Sequence, residues 1–172
     1  DGKYRGIDHN IHQADGFTNY TVFSVWDTYR ALHPLFNIIK RDVSANIVKS
    51  MLAHYNQSVH HLLPVWSHMG NENWCMIGYH SVSVLADAIA KGLPIDRQEA
   101  VKAMISSSNV PYYDHTDEYK QLGYVPFDNS PISASITLEN AYEDWTIYHT
   151  ALLTGDKQTA ETYRKRALSY RN

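Results

Sequence analysis

The residues of this chain best suited to chemistry are carboxylates set on apolar helical stripes. Glu139 and Glu143 stand four apart, on the same side as Ile136 and Ile147, and residues at that spacing share a helix face. A charge on such a face must be paired, neutral or functional, because burying it alone is costly. A functional carboxyl group there would give or take a proton, or accept hydrogen bonds from substrate hydroxyls. The competing reading is an ion pair with a Lys or Arg of another helix, or simple solvation. Asp27 sits between Trp26 and Arg30 on another apolar stretch. It is either a site residue or half of an i, i+3 ion pair with Arg30. Glu72 lies in the loop Gly70-Asn71-Glu72-Asn73-Trp74. It is either a solvated loop charge or a sugar-facing group beside a ring that could stack on a pyranose.

Other chemistries find little support. The ten histidines show no H-E-x-x-H spacing, and neither His9 with His12 nor His60 with His61 completes a ligand set, so no metal ligand is assigned. There is no Gly-rich phosphate loop and no G-x-S-x-G elbow. Cys75 is expected to be a small buried thiol at a helix start rather than a reactive one. A single cysteine excludes an internal disulfide and a thiolate zinc cage.

With 172 residues, 44% hydrophobic and 19% charged, the chain has the composition of one globular unit with a real core. No apolar run reaches 18 residues, so no spanning helix is expected. A net charge of −3 leaves no basic footprint, so neither nucleic acid nor a membrane is an expected partner. Tyr supplies 13 of the aromatic residues, and rings with one polar tip suit a surface that is both apolar and hydrogen-bonding, as well as any core. Position 1 is Asp rather than an initiator Met, and the chain is expected to be a piece of something longer.

The elements that must position these side chains read as helices. Val22, Val25, Tyr29, Leu32 and Phe36 predict a first helix over about 20–40, kinked at Pro34. Asp42 is placed to cap a second, carrying Ile47, Val48, Met51, Leu52 and Tyr55. Residues 58–74 read as loop. A third helix is predicted over about 75–91, ending at Lys91-Gly92 before Pro94. Asp96-x-x-Glu99 is a capping-box pattern for a fourth. Residues 109–132, with Pro111, Gly123, Pro126 and Pro131, read as a long irregular connection. A fifth helix runs over about 135–154 to Gly155, and a sixth from Asp156 to the end. Residues 1–12 could hold a short extended piece. The first and fifth are apolar on two faces, the fifth through Leu138, Tyr142, Trp145 and Leu152 on one side, which predicts helices buried among neighbours. The fold class is therefore all-α: about six helices with long loops, roughly half of an α/α toroid, with a solenoid or irregular bundle as the alternative.

Several blocks together resemble one family. Phe23-Ser24-Val25-Trp26-Asp27-Thr28-Tyr29-Arg30-Ala31, then His33-Pro34-Leu35, is similar to a block of family 92 of the glycoside hydrolases, the calcium-dependent exo-α-mannosidases. Gly2 to Asp8, Leu63-Pro64-Val65-Trp66, Cys75-Met76-Ile77-Gly78-Tyr79-His80, Leu122 to Pro126 and Thr137-Leu138-Glu139-Asn140-Ala141-Tyr142-Glu143-Asp144-Trp145 follow in the family's order, up to Tyr170-Arg171-Asn172. The resemblance spans essentially residues 1–172 as one segment. It implies part of a toroidal catalytic domain, with the family's N-terminal β-sandwich domain and the rest of the ring absent. It implies hydrolysis of terminal α-mannosides of glycans, α-1,2 linkages foremost, with inversion. Glu139 maps onto the general acid. The base belongs to a G-N-x-D block expected beyond Asn172, so the segment alone is expected to be inactive. Calcium is the implied cofactor, its ligands mostly outside this segment. The implied partners are a mannose-containing glycan and the rest of the parent chain, and the implied location is secreted or periplasmic in a bacterium. Trp26, Asp27, Arg30, Glu72 and Trp74 are the substrate-binding candidates. Asn140 and Glu143 depart from the residues the family often has there.

Glu139, placed near a helix start, would be acidified by the dipole, so desolvation is expected to raise its pKa instead, as a general acid needs. The alternatives are a non-catalytic carbohydrate-binding or interaction domain on an α/α scaffold, separated by whether a G-N-x-D block follows, and another toroidal glycosidase or lyase, separated by its product.

Overall fold

A computed structural model describes residues 2–172; Asp1 lies outside the described residues. Two small antiparallel hairpins and eight α-helices account for its regular structure. The hairpins are β1 (Lys3–Arg5) with β2 (Ile11–Gln13), and β3 (Ser67–His68) with β4 (Asn71–Glu72). The helices are α1 (Val25–Thr28), α2 (Leu32–Ile39), α3 (Arg41–Gln57), α4 (Ser81–Ala90), α5 (Arg97–Ser107), α6 (Thr116–Leu122), α7 (Ser133–Thr154) and α8 (Lys157–Arg166), followed by a 3₁₀ segment, Ala167–Arg171. The all-α class stands.

The differences from the sequence reading have local causes. The first predicted helix breaks at Tyr29–Ala31, not at Pro34. Ala31 leaves the helical region, with φ −143°, and Pro34 sits third in α2. Its missing N–H costs nothing there, since the first turn has no intrahelical acceptors for its N–H groups. Thr28 Oγ1 and His33 Nε2, 3.0 Å apart, bridge the break. Asp42 lies in the first turn of α3 and does not cap it; Lys40 holds that position without a side-chain bond. The third helix starts at Ser81 rather than 75, because Met76 and Gly78 take φ of 65° and 76°, which no α-helix accommodates. Cys75 is consequently an exposed loop residue. Asp96 caps α5 by accepting the Glu99 amide at 3.0 Å. The Glu99 carboxylate, however, takes Asn56 Nδ2 at 2.6 Å instead of closing the box. The irregular connection contains α6, which Gly123 ends in the left-handed region, as a C-terminal glycine does.

The core forms where α3, α4 and α5 press their apolar faces together, around Val48, Met51, Leu85, Ala88, Ala103 and Met104. Helix α7 packs across α4 and α5 and against α8. It is not buried all round. Ile136, Asn140, Glu143, Asp144 and Ile147 face inward, whereas Leu138, Tyr142, Trp145 and Leu152 are half-exposed. Tyr142, Trp145 and Leu152 border a groove of about 500 Å³ against α4.

One network ties the two ends of the chain's helical stack together. Asp144 is fully buried and accepts Tyr79 Oη, Tyr119 Oη and Arg166 Nε, each at 2.9 Å. Arg166 also donates to Ser108 O at 3.1 Å and lies over the Tyr163 ring at 4.7 Å. This single carboxylate thus joins α7, α6, α8 and the residue next to His80. Removing the cation would strand a buried charge, which typically costs about 3–5 kcal/mol. Arg166→Met is therefore expected to lower the unfolding free energy by about that much in urea titrations, while Lys165→Met, at an exposed position, changes it by less than about 0.5 kcal/mol. Equal, small losses from both would refute the role given to Asp144.

Candidate active site

Helix α7 starts at Ser133, which places Glu139 in the second turn, too far in for the helix end to govern it. Its side chain is 20% exposed, so it stands at the edge of the packed interior. Oε1 accepts Trp26 Nε1 at 3.3 Å and lies 3.5 Å from an Arg30 guanidinium nitrogen. Oε2 lies 2.6 Å from His80 Nε2. Arg30 does not pair with Asp27. Its guanidinium stacks over Trp26 at 4.6 Å and Tyr29 at 4.8 Å, held there by two rings. The break between α1 and α2 makes this possible, since it carries Tyr29 and Arg30 off the helical path.

His80 stands immediately before α4 and is 1% exposed. Its Nδ1 meets Glu143 Oε1 in a short contact, and the Tyr29 ring lies parallel to it at 4.2 Å with 2° between planes. The imidazole is thereby fixed between two carboxylates of α7. The loop that delivers it is strained, with Trp74 at φ 55° and Met76 at φ 65°, an arrangement that persists only when its surroundings hold it. The clamp is visible: Asp114 accepts the Gly78 amide at 3.1 Å, and Tyr113 Oη donates to Gly78 O at 3.0 Å. Gly78 is required twice over. Its φ is 76°, and a Cβ there would come within 2.7 Å of His80 Nε2, the nitrogen that faces Glu139.

Electrostatics follow from this packing. Burial works against a charge on His80, but the adjacent Glu143 and Glu139 carboxylates outweigh it and push the imidazole up to about 9. The two carboxylates thus favour the imidazolium. Burial raises the Glu143 carboxyl, and His80 opposes that rise. At Glu139 burial alone would raise the pKa, yet His80, Trp26 and Arg30 together bring it below the usual carboxylate value. The expected raised pKa of Glu139 is thus not what this arrangement produces. Three donors favour the anion.

Trp26, Arg30 and Glu139 are therefore one cluster. Asp27, next in sequence to Trp26, is exposed, and its carboxylate accepts Ser24 Oγ at 2.6 Å. Glu72 is neither solvated nor free. Its oxygens accept the amides of Val65 at 2.9 Å, Trp66 at 2.8 Å and Trp74 at 3.2 Å, so it folds the β3–β4 hairpin back on its own strand. Trp74 packs with His60, Tyr112 and Tyr113 rather than with Trp26. Tyr113 lies within electrostatic reach of both Glu72 and Glu139, so the two groupings are neighbours. His80 and Tyr29 escaped selection from the sequence as site residues. The signal available was the block Gly78-Tyr79-His80 itself, and the four-residue offset that aligns Glu143 with Glu139.

Among the described residues no three His, Cys, Asp or Glu side chains converge as a metal cage. His12 is taken by Asp8 at 2.9 Å and His60 by Tyr112. The Glu139–His80–Glu143 row interposes an imidazole between carboxylates, which does not match the all-oxygen shell calcium takes. These residues do not fit a calcium ion.

Comparison with known proteins bears on what this cluster is. A search of curated proteins finds no significant match. Among solved structures, the family GH92 α-mannosidase BT3965 from Bacteroides thetaiotaomicron, determined free and in complex with mannoimidazole, is 53% identical with a TM-score of 0.97, over 99% of this chain and 23% of that one. The family GH92 inverting mannosidase BT2199 from Bacteroides thetaiotaomicron VPI-5482 is 35% identical with a TM-score of 0.88, over 98% of this chain and 23% of that one. The GH92 family glycosyl hydrolase ccman5 is 25% identical with a TM-score of 0.62, over 96% and 21%. The chain thus spans about a quarter of the length of the structures it matches. The model of the glycosyl hydrolase family 92 catalytic domain matches residues 1–172. With that match over the whole span and the shared architecture, this chain belongs to glycosyl hydrolase family 92 and forms part of its catalytic domain.

Proposed function

We propose that this chain supplies the general acid of an exo-acting α-mannosidase that hydrolyses terminal α-mannosides of glycans, α-1,2 linkages foremost, with inversion. The observation that carries the reading is the Glu139 carboxylate, held at the boundary between interior and solvent by Trp26, Arg30 and His80. A proton donor to a glycosidic oxygen needs that position: reachable by substrate on one side and fixed by donors on the other. BT3965 and BT2199, called an α-mannosidase and an inverting mannosidase, support the substrate class and stereochemistry.

Inversion requires a second carboxylate that activates water on the opposite face, about 6.5–9.5 Å from the acid. His80 holds Glu143 on the interior side of Glu139, so Glu143 is not that base. The base is assigned to a G-N-x-D block elsewhere in the parent chain, which also carries the β-sandwich domain, the rest of the ring and most ligands of a calcium ion. The parent acts outside the cytoplasm, secreted or periplasmic. Trp26 borders the sugar subsite beside Glu139, and Asp27, next in sequence and exposed, lies on its outer side. Trp74, exposed on the neighbouring loop, offers a ring face to a more distant residue of the glycan.

Glu139→Gln in the parent enzyme keeps the contacts of Oε1 and removes the transferable proton. The expected result is a fall of about 10²–10⁴-fold in kcat for mannosides with poor leaving groups, with a far smaller fall for an activated aryl mannoside, whose leaving oxygen needs no proton. Equal losses on both substrates would exclude Glu139 as the acid. Residues 1–172 alone are expected to hydrolyse neither substrate, with product formation followed by reducing-sugar assay; turnover by this segment would overturn the division of acid and base between segments.

A further inference from the structure

We propose that His80, clamped by Glu143, is a positioning residue that stores the proton Glu139 delivers to the departing sugar. The inference rests on the acid role of Glu139 and deepens it. His80 Nε2 and Glu139 Oε2 are 2.6 Å apart and, among the described residues, neither has another hydrogen-bond partner, so a proton passes between them once the carboxyl group turns into line with the ring N–H. The other ring nitrogen is engaged by Glu143, whose side chain is entirely buried. The ring can neither flip nor turn away, because Tyr29 covers one face in parallel contact at 4.2 Å. Gly78 leaves no room for a Cβ beside Nε2. A solvated surface histidine needs none of this, and a structural ion pair with Glu143 alone would not require Nε2 to face the partly exposed Glu139.

The charged and titratable groups facing His80 come from three directions. Glu139 and Glu143 project from α7, Tyr29 comes from the break after α1, with Arg30 reaching Glu139 from the same break, and Asp114 acts on it from the loop before α6. The net charge of that set keeps a proton on the imidazole at neutral pH, consistent with its rise to about 9. In the step itself the Nε2–H bond breaks and an O–H bond forms on Glu139. The imidazolium becomes neutral imidazole, and the charge of the pair is unchanged. As the glycosidic C–O bond breaks, its electron pair leaves with the sugar oxygen, which takes the proton from Glu139. The Glu139 carboxylate then takes a proton from water on its exposed side and passes it to the neutral imidazole at Nε2, which restores the imidazolium. The pair titrates as a unit, so the acid stays charged with a proton to a higher pH than a lone carboxyl group of lowered pKa could manage.

The sign of the pH effect is fixed by this. In the parent enzyme the alkaline limb of kcat/KM reports loss of the proton shared by His80 and Glu139, near the imidazole's elevated value. In His80→Gln, Glu139 must hold its proton unaided. The alkaline limb is expected to move at least about 2 pH units toward acid, and kcat at pH 8 on a poor-leaving-group mannoside to fall about 100-fold. Turnover of an activated aryl mannoside is expected to fall far less than that of the poor-leaving-group substrate. Glu143→Gln keeps an acceptor for Nδ1 but removes the charge, and is expected to shift the same limb in the same direction by a smaller amount. It also guards against a folding failure in His80→Gln. Limbs that stay in place in the folded Glu143→Gln and His80→Gln enzymes would overturn the proposal. If instead Glu139→Gln shows no dependence on leaving group, the acid assignment itself fails, and the two failures are distinguished.

Discussion

The structure depends on charges turned inward on one long helix. Three carboxylates of α7, Glu139, Glu143 and Asp144, sit at or inside the packed interior. Each is tolerable only because a donor from elsewhere in the chain reaches it. Arg166 and two tyrosines serve Asp144, while His80 serves both glutamates. The donors come from α8, from α6 and from the loop before α4. The carboxylates therefore act as the points where those elements are pinned to α7. A bare apolar helix at this position would bury as well, but it would not specify which loop lies over its second turn.

That requirement explains where the backbone is strained. The loop from Trp74 to His80 carries two residues with positive φ besides Gly78, and the loop before α6 places Asp114 and His115 in the same region. The two strained segments hold each other, Asp114 and Tyr113 gripping Gly78. Their joint product is a histidine whose position is determined from its backbone, from its face and from both nitrogens. Strain of this sort costs of order 1–3 kcal/mol per residue and is sustained by the surrounding contacts. Positive φ also occurs at His9, Val22, His61 and Met69, all in connections, and is absent within α3, α4 and α5.

What the sequence allowed to be read follows the same line. Periodicity located the long helices, because α3, α5 and α7 each bury a stripe, and Asp96, Gly123 and Gly155 act as local punctuation. The Glu139–Glu143 offset was legible for the same reason. Illegible were features set by distant partners. Nothing near Tyr29 announces that the helix stops there, since the break serves Arg30 and His80 across the fold. Residues 75–80 look like helix by composition and are held out of it by Asp114, more than thirty positions later. Glu72 reads as a loop charge because its backbone partners, the amides of Val65 and Trp66, carry no side-chain signature. The apolar side of α7 misled in the opposite sense. Leu138, Tyr142 and Trp145 signal burial, and in this segment, about a quarter of the length of its structural relatives, that side faces solvent.

A carboxyl group that three donors hold as an anion is a poor proton donor when considered alone, and this is the apparent conflict at Glu139. Donors that acidify a group also fix its orientation, and orientation contributes to a proton transfer as much as acidity does. The conflict dissolves if proton supply and proton delivery belong to different atoms. His80 has the burial and the paired carboxylates that keep a proton at neutral pH. Glu139 has the partial exposure and the fixed rotamer that bring it to substrate. On the proposed reading, a sugar seated beside Glu139 would remove water from its exposed side and raise the energy of its anion relative to the neutral acid. It would leave the already buried His80 and Glu143 unchanged. The proton would then move from imidazole to carboxyl when the leaving oxygen is in place, which would couple acid strength to occupancy of the site.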